Sequence, residues 1–447
     1  MSNNQTSGGT ATQFGSRFGF IVASIGSAVG MANVWGFPAK VGAYGGGAFI
    51  VAYLIFVVLF GYVALAAEFA VGRRAATGTV GAYGMAWASR NEKWRKGGHA
   101  FGWIPLCGSM CIAIGYACII AYIFKAMASS ITGELMTVDA GEWFGAMSGT
   151  PFSVVPWHVI TVVVTLATML VGAATIEKSC KIMIPAFFVI FIILAVRVAL
   201  LPGASGGYAF MFKPVWSELA KPMVWVWAAA QSFFSLSVTG SGMIVYGAYL
   251  DKKEDIVSTS VTTAFFDTMA AMTAALVVIP ACFAYGLDVA AGPSLLFVVL
   301  PTILADITGG QIFAIILYVA MIFAGISSLQ NMYEVVVESV LKFVPKMSRN
   351  IMLVILAAIS LIPGVFMETI DKWGPWMDLV SIYIIPIGAT MGAVSWFWIM
   401  KKEDLLEEIN LGAKKPHGNG WYYAGKFGVV FCALVLTGCS LILKIAF

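Results

Sequence analysis

The sequence predicts an all-α polytopic membrane protein, and three observations carry this prediction. The chain of 447 residues is 60% hydrophobic, only 11% of its residues are charged, and its mean hydropathy is +0.90. No soluble domain of this length has that composition. Many separate apolar runs approach or exceed the length that a helix needs to cross a bilayer, and they do not alternate as the strands of an outer-membrane barrel do.

Eleven apolar runs are predicted to cross the membrane, and we number them as spans one to eleven. They cover residues 17–42, 47–72, 100–128, 155–174, 182–200, 222–249, 258–286, 310–341, 351–366, 374–400 and 424–445. The predicted organisation is a tail at 1–16, a first five-helix repeat at 17–200, a loop at 201–221, a second five-helix repeat at 222–400, a loop at 401–423 and an eleventh helix at 424–447.

Basic residues are concentrated at alternate turns between the spans. Arg73, Arg74, Lys401 and Lys402 lie on one side, whereas the turns on the other side carry few charges and lean acidic. By the positive-inside rule, the basic side faces the cytoplasm. We therefore expect a multi-pass protein of the inner (plasma) membrane with a cytoplasmic N-terminus. Because the number of spans is odd, the C-terminus is expected to be extracellular or periplasmic.

Composition also excludes several classes of protein. The net charge of +4 follows from the cytoplasmic bias and predicts no nucleic-acid partner. The seven cysteines form no Cys-X-X-Cys pair, which argues against a thiolate metal centre. The three histidines lie in loops or at span ends and form no cluster, so we expect no enzyme. No charged segment precedes a short apolar core at the N-terminus, so no cleavable signal peptide is predicted.

Span one carries helix-breaking residues near its centre. Three glycines, an asparagine and a proline fall within residues 24–38. Each Gly costs a helix about 1 kcal/mol and Pro costs about 3 kcal/mol. In hydrocarbon, freed backbone groups are tolerated only where protein or a cavity satisfies them. The sequence therefore predicts a discontinuous helix whose exposed carbonyls and amides bind a ligand.

Span six repeats this anomaly. Residues 231–242 are rich in Ser, Thr and Gly, and spans one and six begin five helices apart. An odd repeat length means that a second copy enters the membrane in the opposite sense. Two interrupted segments in corresponding positions indicate a transporter with inverted repeats and a midplane site. The alternative is that small residues merely allow close helix packing.

Oxygen-bearing side chains accompany the breaks. Asn33 follows the first break, and Ser327 and Ser328 place paired hydroxyls in span eight. Hard cations such as Na⁺ prefer oxygen ligands. Helix packing remains the alternative explanation of the two serines.

Two carboxylates lie inside predicted spans. Asp267 is in span seven and Glu68 in span two. A central Asp costs at least about 2.5 kcal/mol to insert and usually faces a cavity, an ion or a partner. No buried base is evident for Asp267, so we expect a cation there; a protonated, hydrogen-bonded Asp is the alternative. Lys40 and Asp378 lie near outer span ends, where snorkelling to the interface is an alternative role.

In combination, these motifs resemble those of the neurotransmitter:sodium symporter family, on the fold of the bacterial leucine transporter, and the eleven-helix count suits its bacterial branch. The resemblance covers residues 17–398. It is carried by Ser-Ala-Val-Gly-Met-Ala-Asn-Val-Trp-Gly-Phe-Pro at 27–38, Gly-Gly-Gly-Ala-Phe at 45–49, Glu-Phe-Ala-Val-Gly-Arg at 68–73, the span-six break, and Ala-Gly-Ile-Ser-Ser at 324–328.

The resemblance implies two sodium sites and one amino-acid site. The first sodium set would be Ala28, Asn33, Ser235 and Asp267, completed by the substrate carboxylate. The second sodium set would be Gly26, Val29, Ala324, Ser327 and Ser328. The implied substrate residues are Ala28, Gly30, Met31, Ala32, Tyr116, Phe234, Ser235, Ser237, Gly240, Ser328 and Met332. Phe234 would be the lid, and Glu68 would satisfy amides of the unwound sixth helix.

Departures from the family pattern refine these expectations. Monoamine carriers of the family place an acid where this chain has Gly30, so Gly30 indicates an α-amino acid. The usual outer-gate Arg is Gly36 here, and we expect Lys40 to act as a weaker gate with Asp378. Asp267 replaces an Asn and is expected to supply the negative charge that other members obtain from bound chloride.

The remaining departures concern the side-chain pocket and the inner gate. The leucine transporter has a Phe where this chain has Gly240, so the expected pocket is roomy, and no predicted pocket residue is charged. The cytoplasmic gate does not map onto this chain. Arg17 is present, but the family's Arg position corresponds to Ala11 and its Asp position to Lys342.

The predicted function is sodium-coupled, chloride-independent symport of a neutral, large hydrophobic or aromatic amino acid by alternating access. The predicted partners are the amino acid, Na⁺ at two sites and the lipid bilayer, with the protein a monomer or a weak homodimer. Two alternatives stay open: a proton-coupled amino-acid carrier of the same fold, and a non-transporting amino-acid sensor.

Overall fold

The computed structural model describes residues 14–445, and every regular element in that part of the chain is helical. Among these residues, eight helices are long and apolar enough to cross a membrane. A ninth span results when the bent pair Arg17–Ala28 and Ala32–Ala43 is taken as one. The predicted all-α polytopic membrane fold is therefore confirmed.

The helices have the following bounds. The eight spanning helices are Gly47–Ala75, Glu92–Ile131, Ala173–Ala199, Ile256–Tyr285, Gly310–Phe343, Arg349–Phe366, Ile370–Ile399 and Asn419–Leu443. Shorter helices are Thr79–Arg90, Ala140–Gly149, Val155–Ala167, Ala204–Phe212, Pro222–Ser235, Gly242–Ala248, Leu295–Asp306 and Lys402–Asn410. Single π-helical segments interrupt the α-helical geometry at Ala32–Gly36, Phe60–Ala64, Leu295–Val299, Val380–Ile384, Ser395–Ile399 and Ala424–Val429.

The eleven predicted spans correspond to the eight spanning helices, the bent pair of span one, and two elements that are not single spanning helices. Span four is a helix of 13 residues, Val155–Ala167, and span six is broken into Pro222–Ser235 and Gly242–Ala248. Span five begins at Ala173 rather than at residue 182. An apolar run records hydrophobicity and not helix ends; here a turn ending at Gly172, whose φ is 77°, separates the two helices.

The predicted loops also contain helices. Ala204–Phe212 lies within the loop predicted at 201–221, and Lys402–Asn410 lies within the loop predicted at 401–423. The last helix begins at Asn419 rather than at residue 424. Residues 1–13 of the predicted tail, which include Ala11, and residues 446–447 of the predicted last segment lie outside the described residues.

Span one breaks at its centre, as predicted. The helix Arg17–Ala28 ends where Val29 turns to extended backbone, at φ −70° and ψ 114°. After Gly30 the chain re-enters a helix through the π-helical segment Ala32–Gly36, and the two halves are bent by 57°. Pro38 is the second residue of the α-helix Phe37–Ala43, which directly follows this π-helical segment.

Span six breaks over a longer stretch, residues 236–241. Ser237 has a φ of 54° and Gly240 a φ of 75°, and both lie in the left-handed region that ends a helix. The buried carboxylate of Glu68 accepts a hydrogen bond of 2.7 Å from the Gly240 amide. The role predicted for Glu68, satisfying amides of the unwound sixth helix, therefore has a matching contact.

Spans two and six pack backbone against backbone beside this break. A Cβ on Gly72 would lie 1.9 Å from the carbonyl oxygen of Ile244, and a Cβ on Gly247 would lie 2.4 Å from that of Phe69. Only glycine allows this approach, as in other small-residue helix contacts in membranes. The close contact holds the second half of span six, Gly242–Ala248, against span two and so positions the break.

Candidate functional site

The two breaks meet at a central cavity. Its walls come from both halves of spans one and six and from spans three, eight and ten. The predicted substrate residues that line it are Ala28, Gly30, Met31, Ala32, Tyr116, Phe234, Ser237, Ser328 and Met332. No charged side chain is present among the lining residues that the structure describes. The cavity therefore combines exposed backbone and hydroxyls with neutral walls.

Tyr116 and Ser328 hold the span-one break from opposite sides. The Tyr116 hydroxyl accepts a hydrogen bond of 2.9 Å from the Met31 amide. A Cβ on Gly30 would lie 2.5 Å from that hydroxyl oxygen and 2.7 Å from Ser328 Oγ. Gly30 thus leaves open a gap between two hydroxyls, at the amides where the substrate carboxylate is expected.

Three members of the first sodium set are in direct contact. The Asn33 side-chain amide donates to Asp267 Oδ1 at 2.7 Å and to Ser235 Oγ at 3.2 Å. Ser235 Oγ donates to the other carboxylate oxygen of Asp267 at 2.7 Å. The Asn33 side-chain oxygen accepts from the Gly30 amide at 2.8 Å. Ala28 lines the adjacent cavity. The side chains of this set offer hydroxyl, amide and carboxylate oxygens, and oxygen ligands suit Na⁺.

The second sodium set converges on the Ser328 hydroxyl. Ser328 Oγ lies 2.9 Å from the carbonyl oxygen of Val29 and 3.4 Å from that of Gly26. Ser327 Oγ donates to the Ala324 carbonyl oxygen at 3.0 Å. Both serines and the break are buried. Buried carbonyl and hydroxyl oxygens that lie close together are a suitable environment for a hard monovalent cation.

The structure places Gly240 differently from the expectation. Gly240 is not among the cavity-lining residues. A Cβ on Gly240 would lie 2.5 Å from the Gly388 carbonyl oxygen and 2.6 Å from the Tyr83 hydroxyl oxygen. A missing ring at this position therefore does not enlarge the pocket, because span ten fills the space. Ser235 is also absent from the lining, since its hydroxyl turns towards Asp267.

The cavity has polar lining residues that sequence reasoning missed. Ser109 Oγ and Ser241 Oγ are 2.7 Å apart, and the Asn331 side-chain amide donates to the Gly242 carbonyl oxygen at 3.2 Å. Helical spacing carried the signal for two of them. Ser109 lies seven residues before Tyr116, and Asn331 lies three residues after Ser328, so each shares a helix face with a predicted site residue.

The expected outer gate pair is not formed in the structure. Lys40 and Asp378 both line a second cavity of about 350 Å³, the proposed outer vestibule, but no ion pair joins them among the described residues. Lys40 Nζ instead donates to Gln231 Oε1 at 3.1 Å and lies 4.9 Å from the centre of the Trp227 ring. Gln231 in turn donates to the Ala32 carbonyl oxygen at 3.0 Å. Lys40 is thereby connected to the span-one break.

A cluster of polar and charged side chains lies at the opposite end of the bundle. The Tyr249 hydroxyl donates to Glu334 at 2.6 Å, and Arg349 forms an ion pair with Glu334 and donates to the Met169 carbonyl oxygen at 3.0 Å. Lys342 pairs with Glu338 at 3.6 Å. Arg17 pairs with Glu254 at 3.2 Å.

Comparison with known proteins identifies this arrangement. The model of the sodium:neurotransmitter symporter family matches residues 11–150 and 145–444. The chain belongs to this family. The resemblance predicted from the motifs at 27–38 and 324–328 is thus confirmed, and this symporter chain is a sodium-dependent transporter rather than an enzyme.

Several proteins are similar to the symporter chain over nearly its whole length. A sodium-dependent transporter of Bacillus subtilis is 30% identical and covers 96% of this chain and 97% of its own length. A sodium-dependent transporter of Haemophilus influenzae is 26% identical and covers 94% and 96%. The crystal structure of MhsT in complex with L-phenylalanine is 30% identical, with a TM-score of 0.86 and coverage of 96% of this chain and 100% of MhsT.

Proposed function

We propose that this chain is a symporter that couples Na⁺ entry to the import of a neutral amino acid with a large hydrophobic or aromatic side chain. The observation that carries the proposal is the cavity lining, which joins free backbone and hydroxyls with apolar walls and no charged side chain. Burying an unpaired charge there would be costly, so a charged side chain on the substrate is disfavoured. The L-phenylalanine in the MhsT complex supports the same class of substrate.

The substrate carboxylate would accept from the Tyr116 hydroxyl on the open side of Gly30, and it would replace that hydroxyl as the acceptor of the Met31 amide. Tyr116 now accepts from Met31, so its own proton is directed elsewhere and is available to a carboxylate. The neighbouring first sodium set supplies the cation that neutralises the carboxylate. Sodium and substrate then tighten each other's binding by the same factor, which is the thermodynamic basis of coupling.

Two sodium ions would bind, one in each set. The second set ties the inner half of span one to span eight through Ser328 and the carbonyls of Gly26 and Val29. A cation there would stabilise this contact, and its release would free the inner half of span one. Phe234 borders both the central cavity and the outer vestibule, which suits a lid between them. Alternating access would result if the lid and the inner half of span one opened at different times, so that the cavity faced one side of the membrane at a time.

Transport is proposed to be independent of chloride. Asp267 places a carboxylate within hydrogen-bond distance of Asn33 and Ser235, where the cation is expected. An opposite charge a few ångströms away is worth about 4 kcal/mol at an effective dielectric of 20. Uptake that persists when chloride is replaced by gluconate supports this proposal, and uptake that stops contradicts it.

The decisive experiment is uptake of radiolabelled amino acids into proteoliposomes under imposed ion gradients. We expect Phe, Trp, Tyr or Leu to accumulate with an inward Na⁺ gradient, and Lys and Glu not to compete. Uptake driven equally by a pH gradient without Na⁺ would favour the proton-coupled carrier. Binding without accumulation would favour a sensor. Liposomes without protein and liposomes with equal Na⁺ on both sides are the controls.

The proton-coupled alternative has no specific support at the second sodium set. Such a carrier needs a base there, but span five presents Cys180 and Ile184, whose atoms would lie 3.1 and 3.3 Å from a Cβ on Gly26. Lys181 is engaged with Glu177 at 2.5 Å. The absence of a nearby base among the described residues of span five therefore favours Na⁺.

We also propose the orientation and repeat organisation expected from the sequence. The basic turns would face the cytoplasm, with residues 17–200 and 222–400 forming the two repeats, and the protein would be a monomer or weak homodimer. Labelling of single cysteines introduced at Lys93 and Asp139 by a membrane-impermeant reagent tests the orientation. In intact cells we expect the reagent to label the cysteine at position 139 and not the one at position 93. Labelling at position 93 alone would mean that the orientation is the opposite of the proposed one.

A further inference from the structure

The basic ends of spans ten and eleven carry an unusual group of rings and cations. Trp398, Tyr423 and Phe427 are exposed large aromatic residues, at 49%, 46% and 57%. Hydrogen bonds to the backbone fix two rings of this group. The Trp398 indole donates to the Lys426 carbonyl oxygen at 2.9 Å, and the Tyr422 hydroxyl donates to the Phe397 carbonyl oxygen at 2.6 Å. Exposed aromatic residues at helix ends are typical of a membrane–water interface.

Two lysines lie over these rings. Lys402 Nζ is 5.6 Å from the centre of the Tyr422 ring and 5.3 Å from that of Tyr423. Lys426 Nζ is 4.5 Å from the centre of the Trp398 ring and 6.0 Å from that of Tyr422. Neither lysine has a carboxylate within ion-pair distance among the described residues. Tyr422 therefore lies between two ammonium groups that have rings but no anion as partners.

A third cation borders the group. Arg90 is exposed, and its guanidinium donates to the Ile399 carbonyl oxygen at 3.2 Å, one residue from Trp398. We call Arg90, Lys402, Lys426, Trp398 and Tyr422 the basic aromatic cluster.

Most acids of the adjoining helix Lys402–Asn410 are already paired elsewhere. Arg74 pairs with Asp404 and Glu407, each at 2.9 Å, and Arg73 pairs with Glu408 at 2.6 Å. Glu403 is the acid of this helix that remains near Tyr422. The basic aromatic cluster therefore keeps an excess of positive charge at the membrane edge.

An apolar track leads away from the cluster into the bilayer. Phe427, Phe431 and Leu434 follow one another at helical spacing on the last helix, and they are 57%, 66% and 54% exposed. A site with cations at the interface and a continuous apolar face beside it matches an amphiphile with an anionic head. A soluble anion would use the cations but not the track.

We propose that the basic aromatic cluster binds the phosphate of an anionic phospholipid, with one acyl chain along Phe427, Phe431 and Leu434. Lys and Arg at such positions extend their apolar stems along the protein and present charge to headgroups. Each cation near an anionic surface strengthens attraction by roughly fivefold. The lipid would hold the ends of spans ten and eleven together. Span ten is also the span that packs on the span-six break at Gly240.

Native mass spectrometry of the full chain tests this proposal. Delipidated protein is offered equal amounts of phosphatidylglycerol and phosphatidylcholine, and bound lipid is counted at low and high salt. Wild-type protein is expected to retain phosphatidylglycerol at least about tenfold over phosphatidylcholine, with the preference falling at high salt. Inorganic phosphate at millimolar concentration is expected not to displace the lipid; equal displacement would indicate a soluble-anion site and overturn the proposal.

The variant and its control remove equal charge. Arg90→Gln/Lys402→Gln/Lys426→Gln is expected to abolish the preference, whereas Lys252→Gln/Lys253→Gln/Lys414→Gln, on other basic loops, is expected to keep it. Equal loss in both variants, or retention in both, overturns the proposal. If the triple variant does not fold, two single variants test the proposal. Lys426→Gln is expected to lower the preference for phosphatidylglycerol at least about threefold, and Lys426→Arg is expected to keep it; any other result overturns the proposal.

Discussion

At the scale of single residues, Gly30 explains how one missing side chain makes a site. Tyr116 and Ser328 approach its Cα closely enough that a methyl group would contact both hydroxyl oxygens, at 2.5 and 2.7 Å. The gap between those hydroxyls is the place proposed for the substrate carboxylate. Gly36, six residues further along, has no such neighbours, since the nearest atom to its Cβ position is 3.7 Å away.

Gly30→Ala is therefore expected to weaken substrate binding while Gly36→Ala does not. Overpacking at Gly30 costs about 1–3 kcal/mol, which corresponds to roughly 5–150-fold in the dissociation constant. Scintillation proximity binding of labelled phenylalanine measures the change. An unchanged affinity in Gly30→Ala, or an equal loss in Gly36→Ala, would show that the gap is not part of the substrate site.

Asp267 supplies the carboxylate of the proposed first sodium set. Replacing it with Asn keeps the contacts to Asn33 and Ser235 possible but removes the negative charge, so the half-saturating Na⁺ concentration is expected to rise by about 10-fold or more. Chloride should partly restore Asp267→Asn and leave the wild type unchanged. Asp371→Asn, an exposed acid, is the matched control. A wild-type Na⁺ response in Asp267→Asn would contradict the assigned role.

At the scale of elements, breaks in helices are stable only where other elements satisfy them. The span-six break is closed by Glu68 on span two at the Gly240 amide, and spans two and six touch through Gly72 and Gly247. The span-one break is held by Tyr116 on span three and Ser328 on span eight. Each break thus depends on a neighbour far away in sequence.

Glu68→Ala is expected to destabilise the protein more than Glu68→Gln. Alanine leaves the Gly240 N–H buried without an acceptor, at a cost of about 1–3 kcal/mol, whereas glutamine retains an acceptor oxygen. Thermal unfolding in detergent should place the midpoint of Glu68→Ala lowest and that of Glu68→Gln between it and wild type. Equal midpoints for the three proteins would mean that this hydrogen bond does not support the break.

At the scale of the whole molecule, two sodium ions bound as proposed would make transport electrogenic. A neutral zwitterion carried with two Na⁺ moves two positive charges inward, and each gains about 2.3 kcal/mol per 100 mV. An inside-negative potassium diffusion potential is therefore expected to accelerate uptake in proteoliposomes, with a sigmoidal dependence on Na⁺. An uptake rate that does not depend on the potential would indicate that fewer cations are coupled to the amino acid, or that another cation moves outward in exchange.

The sequence determined the class of protein and the place of its site. Apolar run length predicts membrane helices because every backbone group in hydrocarbon must be satisfied within the segment. Violations of that rule at residues 24–38 and 231–242 stand out for the same reason, and the structure breaks both segments there. Asn33, Ser327 and Ser328 were recognisable because polar oxygen is rare in such surroundings.

Only the tertiary structure decided which groups meet. Lys40 lies beside Gln231 rather than Asp378, and Gly240 lies against span ten rather than in the cavity. The cluster around Glu334 joins segments that no local pattern relates. Side-chain partners across a bundle depend on the rotation and bend of each helix, including the 57° bend of span one, and hydropathy carries no information on either.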